Sequence, residues 1–224
     1  MDNDFKFCYA YPRASITTDC VIFSFFDLNL HVLLIERAAD PFKGYWAFPG
    51  GFLEMDETTL TCAQRELHEE TGLQDVVLTQ LYTFSDVNRD PRGRTISVVY
   101  YGIADVRHRY PEAGDDAKRA VWYSVSELPP LAFDHRQVFE RAFNELKFQM
   151  RLKPVFYPWL PQRFTMDDVL LFYNSVFDIQ PVKASFEKQL LGCGLFSPLE
   201  DQHHYCFDKN NYLAAADRNF WFII

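Results

Sequence analysis

The chain has 224 residues, 48% of them apolar and 17% aromatic, and a formal net charge of −9. That apolar share is enough for one large packed domain or two smaller ones, and no run reaches the ~18 apolar residues of a membrane-spanning helix. The acidic balance argues against a broad nucleic-acid-binding surface, and −8 of the −9 falls in residues 1–150. The opening MDNDFKF has no basic stretch leading into an apolar one, and the five cysteines lack zinc-like spacing. A reduced, cytoplasmic protein without membrane contact is the expectation.

In chain order, β-branched and alternating runs at 15–25 and 30–36, joined by Asp27, Leu28 and Asn29, predict a hairpin. The aromatic, glycine-rich PFKGYWAFPGGF follows, then an acidic helix. Strands are predicted at 76–84, 95–104 and 120–123, and a longer helix over 134–151 with Asp134 available as its N-cap. Strands and helices in this order fit a mixed sheet covered on both faces. Beyond 151, prolines at 154, 158 and 161 mark a linker. Thr165 and Asp168 form a capping box opening an amphipathic helix through Val176, and a second helix covers 184–191, stopping at Gly192 and Gly194. Short strands at 204–207 and around Tyr212 would complete a winged-helix-like unit. The expected division is 1–152, a linker at 153–163, and 164–224.

The densest information lies between Gly51 and Leu73. Glu66, Glu69 and Glu70 stand at i, i+3 and i+4, so a helix projects all three from one face. Leu60, Ala63 and Leu67 give it an apolar stripe. Like charges so close repel, and an oxygen-rich cluster suits hard cations such as magnesium or manganese. The bland alternative, a solvated acidic face, does not call for Gly51 before the helix, Arg65 within it and Gly72 after it.

Glycine, five residues, glutamate, seven residues, then Arg-Glu-apolar-x-Glu-Glu-x-Gly-apolar is the spacing of the Nudix box, and every fixed position is met. The chain therefore resembles the Nudix hydrolases. RDPRGRTISVVYYG (89–102), LAFDHRQVFERAF (131–143) and the two-part layout resemble one branch, in which ADP-ribose pyrophosphatases sit beside NrtR-like, ADP-ribose-sensing transcriptional regulators with a C-terminal winged helix. The resemblance implies an α/β/α sandwich and Mg2+ or Mn2+ as cofactor. It places Glu66, Glu70 and Glu69 as metal ligands with the Gly50 carbonyl, and a homodimer as the assembly. Arg65 is expected to hold the carboxylates in position, Glu57 to complement the helix start, and Gly72 to end the helix.

Arg89, Arg92 and Arg94 are candidates to bind the diphosphate or a ribose phosphate of a nucleoside diphosphate substrate; the alternative is a solvent-facing turn. Trp46 is a candidate to stack on the base, with core packing as its alternative. In the loop PEAGDD, Glu112 and Asp116 are candidates for the general base, with solvated loop acids as the alternative. None of the six histidines shows ligand spacing beyond the adjacent pair 203–204.

Two functions compete: a metal-dependent hydrolase releasing AMP and ribose 5-phosphate from ADP-ribose or a relative, and a sugar- or ADP-ribose-sensing repressor. In the resembled repressors the second C-terminal helix and wing are basic. Here Ala184 and Glu187 stand where arginines are expected, and the wing carries Glu200 and Asp201 and no arginine. DNA binding is disfavoured on that ground, because acidic side chains oppose phosphates.

Overall fold

The computed structural model describes residues 9–105, 117–177, 183–201 and 203–214. The chain runs β1 (Ser15–Phe26), β2 (Asn29–Arg37), β3 (Trp46–Ala47), β4 (Gly50–Phe52), α1 (Thr59–Thr71), β5 (Leu78–Phe84), β6 (Thr95–Ile103), β7 (Ala117–Ser124) and α2 (His135–Leu152). The C-terminal part adds α3 (Met166–Phe177), α4 (Lys183–Gly192), β8 (Phe196–Pro198), β9 (Tyr205–Phe207) and α5 (Lys209–Ala214).

The predicted hairpin forms: Phe26 pairs with Asn29 across a two-residue turn. Asp27 and Leu28 both take positive φ, 48° and 62°, as a turn matching strand twist requires. β1 is the axis of the sheet. It runs parallel to β6 on one side. On the other its first half pairs with β4 and its far end with β2, both antiparallel. Eight consecutive β1 residues, 17–24, are buried, as befits a strand covered on both faces.

Alternation decides which helix each side chain meets. Cys20, Ile22, Leu33 and Tyr100 face α1 through Ala63 and Leu67. Val21, Phe23, Val32, Leu34 and Val99 face the other way, onto Val138, Phe139, Ala142, Leu146 and Met150 of α2. This is the expected mixed sheet between helical layers.

Of residues 153–163, expected as a linker, 161–163 are exposed, but the stretch before them is packed rather than solvated. A 3-10 turn (Tyr157–Trp159) buries Phe156, Trp159 and Leu160. Phe25 of β1 meets Trp159 and Phe172, the latter edge-on at 4.2 Å, so the sheet and α3 share one aromatic seam. The prolines end α2, but the aromatics between them outweigh that signal by the apolar area they bury.

The capping box is present: the Asp168 carboxylate accepts from Thr165 N (2.7 Å) and the Thr165 hydroxyl from Asp168 N (3.2 Å). The strand expected at Tyr212 is absent. β9 pairs with β8 instead, and Asp208 accepts from Asn211 N at 2.9 Å, turning the chain into α5. Leu60 is 40% exposed, and Cys62 takes its expected place in the core. The four described cysteines are free thiols. No helix among the described residues is long and apolar enough to cross a membrane.

Candidate active site

α1 is set by its ends. The Thr58 hydroxyl accepts from Thr61 N, and Gly72, at φ 70°, closes the helix with its N–H on the His68 carbonyl, the left-handed stop glycine allows. Between them the three glutamates fan out from buried to exposed. Glu70 is 8% exposed, and its Oε2 accepts from Gly50 N at 2.8 Å. The Glu66 carboxylate lies over Gly51: a Cβ there would sit no more than 2.7 Å from either of its oxygens. At Gly50 a Cβ would collide with the Thr18 carbonyl. Two backbones and a carboxylate thus meet where only glycine leaves room. Glu69 points outward, its side chain 56% exposed.

Arg65 ties the cluster together. Its fork grips Glu57 through Nε (3.2 Å) and Nη2 (2.7 Å), while Nη1 donates to Glu66 (2.7 Å) and Glu69 (3.1 Å). The Arg65 hydrogen bonds hold the Glu57 carboxyl down at about 2. Glu66 goes the other way: burial raises it, despite Arg65, with Glu69 and Glu57 adding like charge. Glu57 therefore serves Arg65, while Glu66 would gain from a further cation. Among the described residues no three His, Cys, Asp or Glu side chains stand ready around one ion position. The donor set is all oxygen, which fits a hard divalent ion.

A cavity of about 150 Å³ opens beside this cluster, lined from β1 by Asp19, from β2 by Arg37, by Phe48, Gly50, Gly51, Phe52 and Glu70, from two loops by Arg89, Arg92 and Phe133, and from the start of α2 by His135. Arg92 lines it but is held by Asp90 at 2.7 Å. Burial alone would raise Asp90; the Arg92 hydrogen bonds outweigh it and leave the carboxyl below its ordinary range. Arg89 also lines the cavity, donating from Nε and Nη2 to Asp134 at 2.9 and 2.8 Å. That pair anchors it to the wall and leaves other N–H groups of its guanidinium uncommitted to Asp134. Asp134 accordingly caps α2 by position only, with no side-chain cap bond. Arg94 and Trp46 do not line the cavity. Arg94 donates to the carbonyls of Ser85 and Asp86, and Trp46 is 8% exposed against Tyr123 and Arg119. Glu112 and Asp116 lie outside the described residues.

Arg37, Asp19, Phe133 and His135 escaped sequence reading. Arg37 donates to the Pro41 carbonyl at 2.9 Å and sits 4.7 Å over the Phe133 ring, with Arg92 5.5 Å over the same ring. Burial, then the neighbouring Arg92, lowers Arg37. Phe133 has φ 52°, a costly value for a bulky residue and a mark of functional sites. The signal that could have exposed Asp19 is a carboxylate inside an otherwise buried apolar strand.

Residues 17–142 match the NUDIX domain. Over 189 residues the chain is 31% identical to the ADPR responsive transcriptional repressor NtrR of Acinetobacter baylyi, covering 83% of this chain and 75% of that protein. Over 138 residues it is 41% identical to an ADP-ribose pyrophosphatase of Methanocaldococcus jannaschii, covering 62% and 78%. Among solved structures it is similar to Shewanella oneidensis NrtR complexed with a 27mer DNA, with TM-score 0.72 and 26% identity over 92% of this chain and 97% of that one. With the acidic helix, its glycine loop and a domain match across more than half its length, the chain belongs to the Nudix family.

Proposed function

We propose that the protein is a divalent-metal-dependent pyrophosphohydrolase that cleaves ADP-ribose or a related nucleoside diphosphate derivative into AMP and ribose 5-phosphate. The observation that carries this reading is the convergence of the Glu66 and Glu70 carboxylates on Gly50 and Gly51. Glu66, Glu70, Glu69 and the Gly50 carbonyl are the groups that would hold magnesium or manganese. Bound there, the ion would neutralise phosphate oxygens and activate water. The chain's own residues supply the rest: Arg65 orders the carboxylates, and Arg92 and Arg37 present guanidiniums to an anion in the cavity. A cavity of about 150 Å³ is smaller than usual ligand pockets, so it would take one end of such a substrate. The likeness to an ADP-ribose pyrophosphatase supports the substrate class.

The regulator reading has support of its own, since the likeness to NrtR extends through the C-terminal part. Against it, Lys183 at the start of α4 is spent on Asp167 at 2.6 Å. In the wing region Asp201 binds both Arg163 and His204. Acidic side chains beside these cations would repel phosphates.

The test is a panel of ADP-ribose, NADH, nucleotide sugars and dinucleoside polyphosphates with Mg2+, wild type beside Glu70→Gln. ADP-ribose turnover is expected, with kcat/KM falling about 10²–10³-fold in the variant, as for several kcal/mol of lost metal assistance. Unchanged turnover removes Glu70 from the reaction. No turnover of any substrate, with salt-sensitive and sequence-specific retention of DNA from upstream of its own gene, would reverse the conclusion.

A further inference from the structure

Segments distant in sequence meet around one imidazole. His135, first residue of α2, is 3% exposed, stacked on Phe48 with ring centroids 5.3 Å apart. The Phe48 backbone N–H donates to its Nδ1 at 3.0 Å. A ring nitrogen that accepts carries no proton, so the neutral ring holds its proton on Nε2. Nε2 faces Asp19 Oδ1 at 3.5 Å. The other Asp19 oxygen accepts from the Ser97 hydroxyl and faces Arg89 at 3.8 Å. Burial holds the imidazole below its ordinary range; Asp19 and Asp134 oppose this, while Arg89 and Arg37 reinforce it. The positive end of α2 acts in the same direction. The neutral ring is the resting form.

Phe48 and Pro49 lie between β3 and β4, outside either strand. The segment is pinned at three successive points: Phe48 N by His135, the Pro49 carbonyl by Cys20 N at 2.8 Å, and Gly50 N by Glu70. Without the imidazole, the Phe48 amide loses its acceptor in a buried setting. With Nδ1 protonated, two N–H donors would face each other.

We propose that His135 is a positioning residue: as the Nε2–H tautomer, oriented by Asp19, it fixes residues 48–50, and through them the Gly50 backbone whose N–H meets Glu70. The role rests on the hydrolase reading, but its first test does not. Nitrogen NMR of the histidine-labelled full chain, assigned with H135N, reads the tautomer directly. An unprotonated Nδ1 and protonated Nε2 at pH 7.5 are expected; a protonated Nδ1 overturns the proposal whatever the activity.

Two variants supply the second test. H135N keeps an acceptor near Nδ1 without the ring, and H135F keeps the ring without the acceptor. Positioning predicts that H135N stays within about threefold of wild type in kcat/KM, while H135F loses about 10–100-fold and needs more Mg2+ for half activation. A packing role predicts the reverse order, and that order overturns the proposal. Should H135F fail to fold, the tautomer decides. Should the wild type hydrolyse nothing, the hydrolase reading fails alone, and calorimetric ADP-ribose affinity of the same variants judges His135.

Discussion

Around β1, charged groups lie inside the molecule: Asp19, Glu70, Arg89 and Asp90 are each less than a tenth exposed. From residue 163 onward pairs sit at the surface, Lys183 with Asp167 and Arg163 with Asp201, while the interior is Phe172, Tyr173, Phe186 and Phe196. Both arrangements satisfy their charges, at different cost. A buried ion pair is often no more stable than an apolar replacement, so stability alone does not explain the charges around β1. On the hydrolase reading proposed above the chemistry belongs to the first region, and the contrast can be probed by removing charges from each.

The largest effect is expected inside. Asp134→Ala strands Arg89, whose side chain is 5% exposed. Breaking a buried pair predicts a loss of about 3–5 kcal/mol of folding stability, measured by urea unfolding. Next comes Gly51→Ala. Its Cβ would meet the flexible end of the Glu66 side chain rather than backbone, so the fold is spared and the site is not. Hydrolysis should drop about 10–100-fold with the melting temperature little changed, checked by kinetics and calorimetry on one preparation.

A smaller effect follows from pH. The folded value of His135 lies below the ordinary 6.5. Between that lower value and 6.5 the unfolded chain takes up a proton that the folded chain refuses, so stability falls as pH drops through the window and is unaffected above it. Urea midpoints at pH 7.5 and 5.5 should diverge more in wild type than in H135N, which has nothing to titrate there. The smallest effect lies outside: Lys183→Ala, in an exposed pair, should leave the melting temperature unmoved. A large drop would mean the C-terminal charges carry more than the comparison allows.

Sequence reading succeeded where a feature is local. The hairpin turn, the Thr165–Asp168 box and the acidic helix with its Gly72 stop each depend on residues a few positions apart. It failed where the feature is assembled. Trp46 and Arg94 carry suitable chemistry but point elsewhere, and which way they point depends on strand register. Arg89 sits at the cavity, but its partner Asp134 is 45 residues away and was assigned to capping. His135 has no ligand spacing in the sequence, and its partners come from Asp19 and Phe48. In 153–160 the prolines signal a linker, but the burial of Phe156 and Trp159 makes that stretch part of the core.

One guanidinium has a consequence for the helix that carries it. Because Arg65 travels with the chain and bridges three acids of its own neighbourhood, α1 is born with a built-in counter-ion. The repulsion within its acidic face is offset by a residue of the same helix, whatever else comes to share that duty.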